Sequence, residues 1–185
     1  MRVITGTARG RKLKALPGLD TRPTADQVKE SLFNILQFDI EGRRVLDLFA
    51  GTGQLGIEAL SRGASFCDFV DVNPAAVKLV RENLQIAGLT GRAAVVQRDF
   101  LAFLQGARGK KYELVFLDPP YAQTALEQAL ETIAAIDIVS ECGIIVCESP
   151  AGKILPALQP PYAKGREYRY GKAKLTLYRR IEEQT

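Results

Sequence analysis

The chain has 185 residues, 46% of them apolar, which suffices for one well-buried core and a single domain over residues 1–185. Histidine is absent, so serine–histidine catalysis and histidine-based zinc sites are excluded; no stretch approaches the roughly 20 apolar residues that cross a bilayer, and Met1–Gly6 lacks the apolar core of a secretion signal. The net charge of +4 is unevenly spread. Residues 1–14 hold Arg2, Arg9, Arg11, Lys12 and Lys14 with no acid, and residues 161–180 hold Lys164, Arg166, Arg169, Lys172, Lys174, Arg179 and Arg180 against Glu167 alone. The middle is net negative, and basic ends of this kind suit a polyanion.

In chain order, residues 1–14 alternate weakly around Thr7-Ala8-Arg9-Gly10, the pattern of a short basic hairpin or arm within an extension over 1–23. Pro17-Gly18 and Arg22-Pro23 mark turns, and Thr24 caps a helix expected to reach Phe38. Val45 to Phe49 has strand length, and a helical apolar pattern starts at Leu55. Strand two is expected over Phe66–Val70, closing at Asp71, with Asn73-Pro74 opening a helix that stops near Gly88. Ala93–Gln97 reads as strand three, and Asp99 opens a short helix. Tyr112–Leu117 reads as strand four and ends in Asp118-Pro119-Pro120-Tyr121. A helix across Leu126, Leu130 and Ile133 precedes strand five at Gly143–Glu148, and Arg166–Tyr170 with Lys174–Arg180 form a closing hairpin. Alternating strands and helices predict an α/β doubly wound sheet. Cys67, Cys142 and Cys147, odd in number and among apolar neighbours, read as reduced core thiols of a cytoplasmic protein.

Gly51-Thr52-Gly53-Gln54-Leu55-Gly56 fits G-x-G-x-x-G between a strand and a helix, with Asp71 20 residues after Gly51. Asp47 bears on the ligand: a carboxylate at the tip of strand one repels a pyrophosphate but suits a ligand carrying an ammonium and a sulfonium. S-adenosylmethionine is such a ligand and NAD is not. Asp71 is placed to bond ribose hydroxyls, or is a surface acid before a helix N-terminus. Asp99 is an acceptor for an adenine amino group, or an ordinary helix cap. Glu58 reads as structural. Asp118-Pro119-Pro120-Tyr121 offers a carboxylate, a rigid free carbonyl and an aromatic face at the crevice shared by the carboxyl ends of parallel strands, a set that suits a planar exocyclic amine.

Asp118-Pro119-Pro120-Tyr121 together with Asp47-Leu48-Phe49-Ala50-Gly51-Thr52-Gly53 resembles the S-adenosylmethionine-dependent amino-group methyltransferases. Arg9-Gly10-Arg11-Lys12-Leu13, Arg22-Pro23-Thr24, Leu32-Phe33-Asn34, the run Leu55–Ala64 and Tyr170-Gly171 are similar to the RsmD-type ribosomal RNA guanine-N2 methyltransferases across nearly the whole chain. One departure is Asp71, where such enzymes commonly carry Glu. The resemblance implies a Rossmann-like seven-stranded sheet with an antiparallel last strand, S-adenosylmethionine as cofactor, and a guanine of small-subunit (16S) ribosomal RNA, naked or in a partly assembled particle, as substrate. Asp118, Pro119, Pro120 and Tyr121 are then the catalytic group, with Tyr121 stacking on the base. Asp47, Ala50, Gly51, Gly53, Asp71, Asp99 and Phe100 take the cofactor, and Arg2, Arg9, Arg11, Lys12, Arg22 and Lys172 take RNA. No metal is called for, and a monomer is expected. Methylation of another exocyclic amine such as adenine N6, an NAD-dependent oxidoreductase and a non-catalytic RNA-binding module are the alternatives.

Overall fold

A computed structural model describes residues 1–15, 23–120 and 124–181. The chain forms α1 (Pro23–Ile35), β1 (Arg44–Asp47), α2 (Gln54–Ser61), β2 (Phe66–Asp71), α3 (Pro74–Ala87), β3 (Ala93–Gln97), α4 (Phe100–Gly106), β4 (Tyr112–Leu117), α5 (Ala125–Ile136), β5 (Val139–Pro150), β6 (Tyr162–Tyr170) and β7 (Ala173–Arg180). The strands make one seven-stranded sheet in the order β3-β2-β1-β4-β5-β7-β6. The first five run parallel, and β7 is antiparallel to both β5 and β6. This is the doubly wound sheet with an antiparallel last strand that the resemblance implies.

Burial explains the near-continuous apolar strands. On one face, Val45, Phe69, Leu114, Phe116, Val146 and Leu175 pack with Leu32 and Phe33 of α1, Ile57 and Leu60 of α2, and Val80 and Leu84 of α3. On the other, Leu46, Val70, Val115 and Ile145 pack with Phe103 and Leu104 of α4 and Leu126, Leu130 and Ile133 of α5. Helices on both faces require strands that are apolar on both sides.

Local chemistry sets several boundaries. The Asn73 side chain accepts from the Ala75 amide at 2.9 Å, Pro74 takes the first turn, and Gly88 ends α3 in the left-handed region at φ 70°. Three boundaries differ from expectation. Helix α1 stops at Ile35, short of Phe38, because the chain turns where Asp39 binds Arg43 and Arg179; Phe38 is 90% exposed. Strand β5 begins at Val139, which pairs with Tyr112 across an irregularity in register. Cys142, at φ 57° in that stretch, is exposed, so only Cys67 and Cys147 are core thiols. Strand β6 begins at Tyr162 rather than Arg166, since its first residues continue the ladder with β7.

The N-terminal segment is a docked hairpin. Val3 donates to the Arg11 carbonyl at 3.0 Å, Gly10 to that of Val3 at 2.9 Å, and Arg2 bridges Lys12. Val3, Ala8 and Leu13 are buried against the core beneath α1–α3. Glu58 of α2, fully buried, accepts from the Ile4 and Thr5 amides at 2.8 and 3.0 Å, which bears out its structural reading.

Candidate active site at the carboxyl edge of the sheet

The strand order reverses direction at β1, with β2 on one side and β4 on the other, so the crevice beyond their carboxyl ends is the switch point where ligands bind in such sheets. Asp47, Asp71 and Asp118 all close or follow strands at this edge.

The three glycines of the loop differ in role. Gly51 has φ 54°, and a side chain built there would meet no protein atom nearer than 4.0 Å, so its open side faces space a ligand can fill. Gly53, at φ 76°, is already in contact: an added Cβ would lie 3.2 Å from Val80. Gly56 is needed for packing, since a Cβ would fall 2.3 Å from the Phe69 ring and 2.7 Å from the Cys67 sulfur. Ala50 is held beneath the loop, its amide donating to the Val70 carbonyl at 2.9 Å.

Asp47 is 2% exposed, and its Oδ2 accepts from the Gly56 amide at 3.0 Å. Burial pushes its pKa up to about 7, opposed by that amide and assisted by the charge of Asp71. It joins no ion pair among the described residues. A desolvated carboxylate without a cation is a costly arrangement that a cationic ligand group relieves.

Asp71 does a job that spacing did not reveal. One oxygen accepts from the Gly51 amide at 2.8 Å and the other from the Asn73 amide at 2.8 Å, so the acid ties the glycine loop to the end of β2. Each carboxylate oxygen has a second acceptor position, which leaves capacity for ribose hydroxyls. Asp99 is exposed and caps α4, accepting from Leu101 and Ala102 at 2.9 and 3.1 Å through a single oxygen. Next to it the Phe100 ring lies 5.1 Å from that of Phe49, giving the crevice an apolar wall.

Asp118 follows β4 directly. Asp47 pairs with Phe116 in the parallel ladder, so Asp118, two residues on, falls on the same face of the sheet. It is half-buried, Pro119 is buried and Pro120 exposed; Tyr121 lies outside the described residues. Burial raises the Asp118 pKa well above the usual carboxylate range, with further lifts from the charges of Glu148 and Asp47.

Of the basic residues, Arg2, Arg9, Lys12 and Lys172 are exposed, and Arg22 lies outside the described residues. Lys172 sits in the β6–β7 turn at the carboxyl edge, beside the end of β5. The hairpin tip packs instead on Ser61 at the far end of α2, Thr7 donating to its carbonyl at 2.8 Å, which sets Arg9 away from the crevice. Arg11 is also exposed, but its guanidinium donates to the Ile86 carbonyl near the end of α3, an anchoring contact. Sequence reasoning missed Asn83. Fully buried, it donates to the Thr52 carbonyl at 2.9 Å and the Lys14 carbonyl at 3.1 Å, joining the glycine loop to the hairpin. The signal was present: Asn83 interrupts the apolar stripe Val77, Val80, Leu84, Ala87 at helical spacing.

The sheet order, the glycine loop at the switch point and the acid that follows β4 define an S-adenosylmethionine-dependent methyltransferase of the α/β class. Comparison with known proteins narrows the class. A family model described as conserved hypothetical protein 95 matches residues 1–179. The chain is 41% identical over 182 residues to a putative rRNA methyltransferase, YlbH, of Bacillus subtilis, covering 97% of this chain and 99% of that one. It is 34% identical over 180 residues to ribosomal RNA small subunit methyltransferase D of Escherichia coli, covering 97% and 90%. Among solved structures, the putative methyltransferase yhhF of Escherichia coli superposes with a TM-score of 0.87 at 32% identity, covering 99% of both chains. The chain belongs to this RsmD family of ribosomal RNA methyltransferases.

Gly51→Val tests the loop. A branched side chain enters the open space and must hold a positive φ. S-adenosylmethionine binding is expected to be lost while the fold persists; unchanged binding by calorimetry would take the cofactor away from this loop.

Proposed function

We propose that the protein transfers a methyl group from S-adenosylmethionine to the exocyclic N2 of a guanine in small-subunit (16S) ribosomal RNA, acting in the cytoplasm as a single domain. The observation that carries this reading is the juxtaposition, on one face and one edge of the sheet, of Asp47, the open Gly51 and the Asp118-Pro119-Pro120 strand end. The residues present fit the cofactor. Asp47 supplies the carboxylate that an ammonium neutralises, Gly51 leaves room for the chain of the ligand, Asp71 has acceptor capacity for the ribose, and Phe100 is an apolar neighbour for the adenine, with Asp99 beside it. A dinucleotide would bring its pyrophosphate up to the buried carboxylate, which argues against the oxidoreductase alternative.

When bound, S-adenosylmethionine supplies an electrophilic methyl group. What the protein must do concerns the amine. The guanine N2 lone pair is delocalised into the ring, so the resting nitrogen is planar and a poor nucleophile. Attack pyramidalises it and builds positive charge. The Asp118 carboxylate and the Pro119 carbonyl, as acceptors for the two N–H bonds, then bind the transition state better than the ground state. As the N2 lone pair takes the methyl group that the cofactor would supply, Asp118 would accept the surplus N2 proton. The raised pKa of Asp118 makes it a stronger acceptor for that proton. The target base must leave its stack to reach the crevice.

The deciding experiment is labelled methyl transfer into ribosomal RNA from cells lacking this protein, with the product nucleoside identified and its position mapped. N2-methylguanosine in the small-subunit RNA is expected; N6-methyladenosine, or no transfer into RNA or particles, overturns the reading. A companion measurement addresses the RNA surface. Replacing Arg9, Lys12 and Lys172 together by Ala is expected to weaken RNA binding and to reduce the log–log salt slope by roughly 0.7 per lost phosphate contact. Arg11 is spared because it anchors the hairpin. An unchanged slope would clear these three side chains of RNA contact.

A further inference from the structure

We propose that Glu148 selects guanine, its carboxylate accepting the N1–H of the base while Asp118 accepts from the N2 amine beside it. This rests on the guanine-N2 reading above and assigns the specificity of the same site.

The placement follows from the ladder. Leu117 of β4 pairs with Cys147 of β5 in parallel register, so the residues that follow, Asp118 and Glu148, stand side by side at the carboxyl edge. Neighbouring strands are roughly 4.8 Å apart, which is within the span of one base edge. Alternation sets both on the face shared by Phe116 and Val146, and Asp47 joins that face from β1. Glu148 is half-buried, as Asp118 is. At that separation the charge of Glu148 adds to burial in raising the Asp118 pKa.

Two carboxylates at close quarters oppose one another and disfavour the ionised pair. A base that offers a donor to each carboxylate eases that opposition when it binds. Guanine does so, because it presents N1–H and two N2–H bonds in a row. The ring nitrogen beside the reactive amine on the Watson–Crick edge separates the candidate bases. In guanine it is a donor, N1–H. In adenine the N6 amine is flanked by the N1 lone pair, and in cytosine the N4 amine by the N3 lone pair. An ionised carboxylate is acceptor-only, so a second acid beside Asp118 complements guanine and turns a lone pair toward the other two. A site built to receive a donor rejects an analogue that lacks it far more strongly than an apolar pocket rejects a change of size. Glu148 takes up no proton in the reaction, and N1 keeps its own.

The test uses the full-length protein and target RNA carrying guanine or 2-aminopurine at the mapped position. 2-Aminopurine retains the amine on C2 but has a lone pair at N1 and no O6. The wild-type protein is expected to favour guanine in kcat/KM by on the order of 10⁴. Glu148→Gln can turn its amide N–H toward N1 of 2-aminopurine and should narrow that preference at least about tenfold. The lost O6 contact is common to both proteins and cancels in the comparison. Glu148→Asp, which keeps an acceptor and its charge, should lose rate yet hold the preference. S-adenosylmethionine affinity and melting temperature, unchanged in each variant, confirm that the fold is intact. A guanine preference in Glu148→Gln within about twofold of wild type would overturn the assignment, as would an equal loss of preference in both variants. Absence of N2-methylguanosine from the wild-type reaction would instead remove the guanine-N2 reading itself.

Discussion

Asp118→Ala is expected to cut methyl-transfer turnover by on the order of 10²–10³, the scale of losing one preorganised electrostatic partner of a transition state. The carboxylate addresses the amine and not the cofactor, so S-adenosylmethionine affinity should stay within about threefold. Asp118→Asn keeps an acceptor but not the charge and should fall between the two. The pH profile gives a second readout. The ionised carboxylate is the working form, and burial, with the charges of Glu148 and Asp47, raises its pKa. Turnover therefore falls as pH drops through that raised value, and the acid limb lies above the roughly 4 of an ordinary aspartate. Near-wild-type turnover in purified Asp118→Ala would remove the residue from catalysis and leave an RNA-binding role in front.

Much of this site was legible in the sequence because its parts are short and local. Asn73-Pro74 and Gly88 bracket α3 through cap and left-handed geometry that the residue types alone dictate, and Ala93–Gln97 and Tyr112–Leu117 are apolar runs of strand length. What escaped were contacts between distant segments. Asp71 was read toward a ligand, yet it also holds the Gly51 amide, a bond across 20 residues of sequence that no spacing rule announces. Asp99 carries both of its readings in the same place, since a carboxylate that caps α4 through one oxygen retains the other. Arg11 counted as one more positive charge, whereas the fold brings it to a helix-end carbonyl. Glu148 passed as the last residue of a strand, because only the β4–β5 register brings it beside Asp118.

Glu58→Ala is expected to destabilise the protein by about 3–5 kcal/mol, the cost of breaking a buried ion pair by removing one partner. The fully buried Glu58 carboxylate accepts from the Ile4 and Thr5 amides and from Arg62 Nε at 2.9 Å, and the buried Lys29 ammonium lies 4.0 Å away. Alanine takes the carboxylate away from two backbone amides and two cations at once, in a place that water reaches poorly. Glu58→Gln fills the same volume but sets an amide N–H against donors, so it should cost less than Ala and still be measurably destabilising. For a chain of this size each kcal/mol moves the melting temperature by roughly 2–4 °C, so Glu58→Ala should melt about 10 °C lower. The loss reaches function through the hairpin. Released from α2, the hairpin no longer carries Lys14 to Asn83, the residue that donates to the Thr52 carbonyl, and RNA binding should weaken more than cofactor binding. A melting temperature within about 2 °C of wild type would show that the N-terminal hairpin is held by its apolar contacts through Val3, Ala8 and Leu13 and not by this carboxylate.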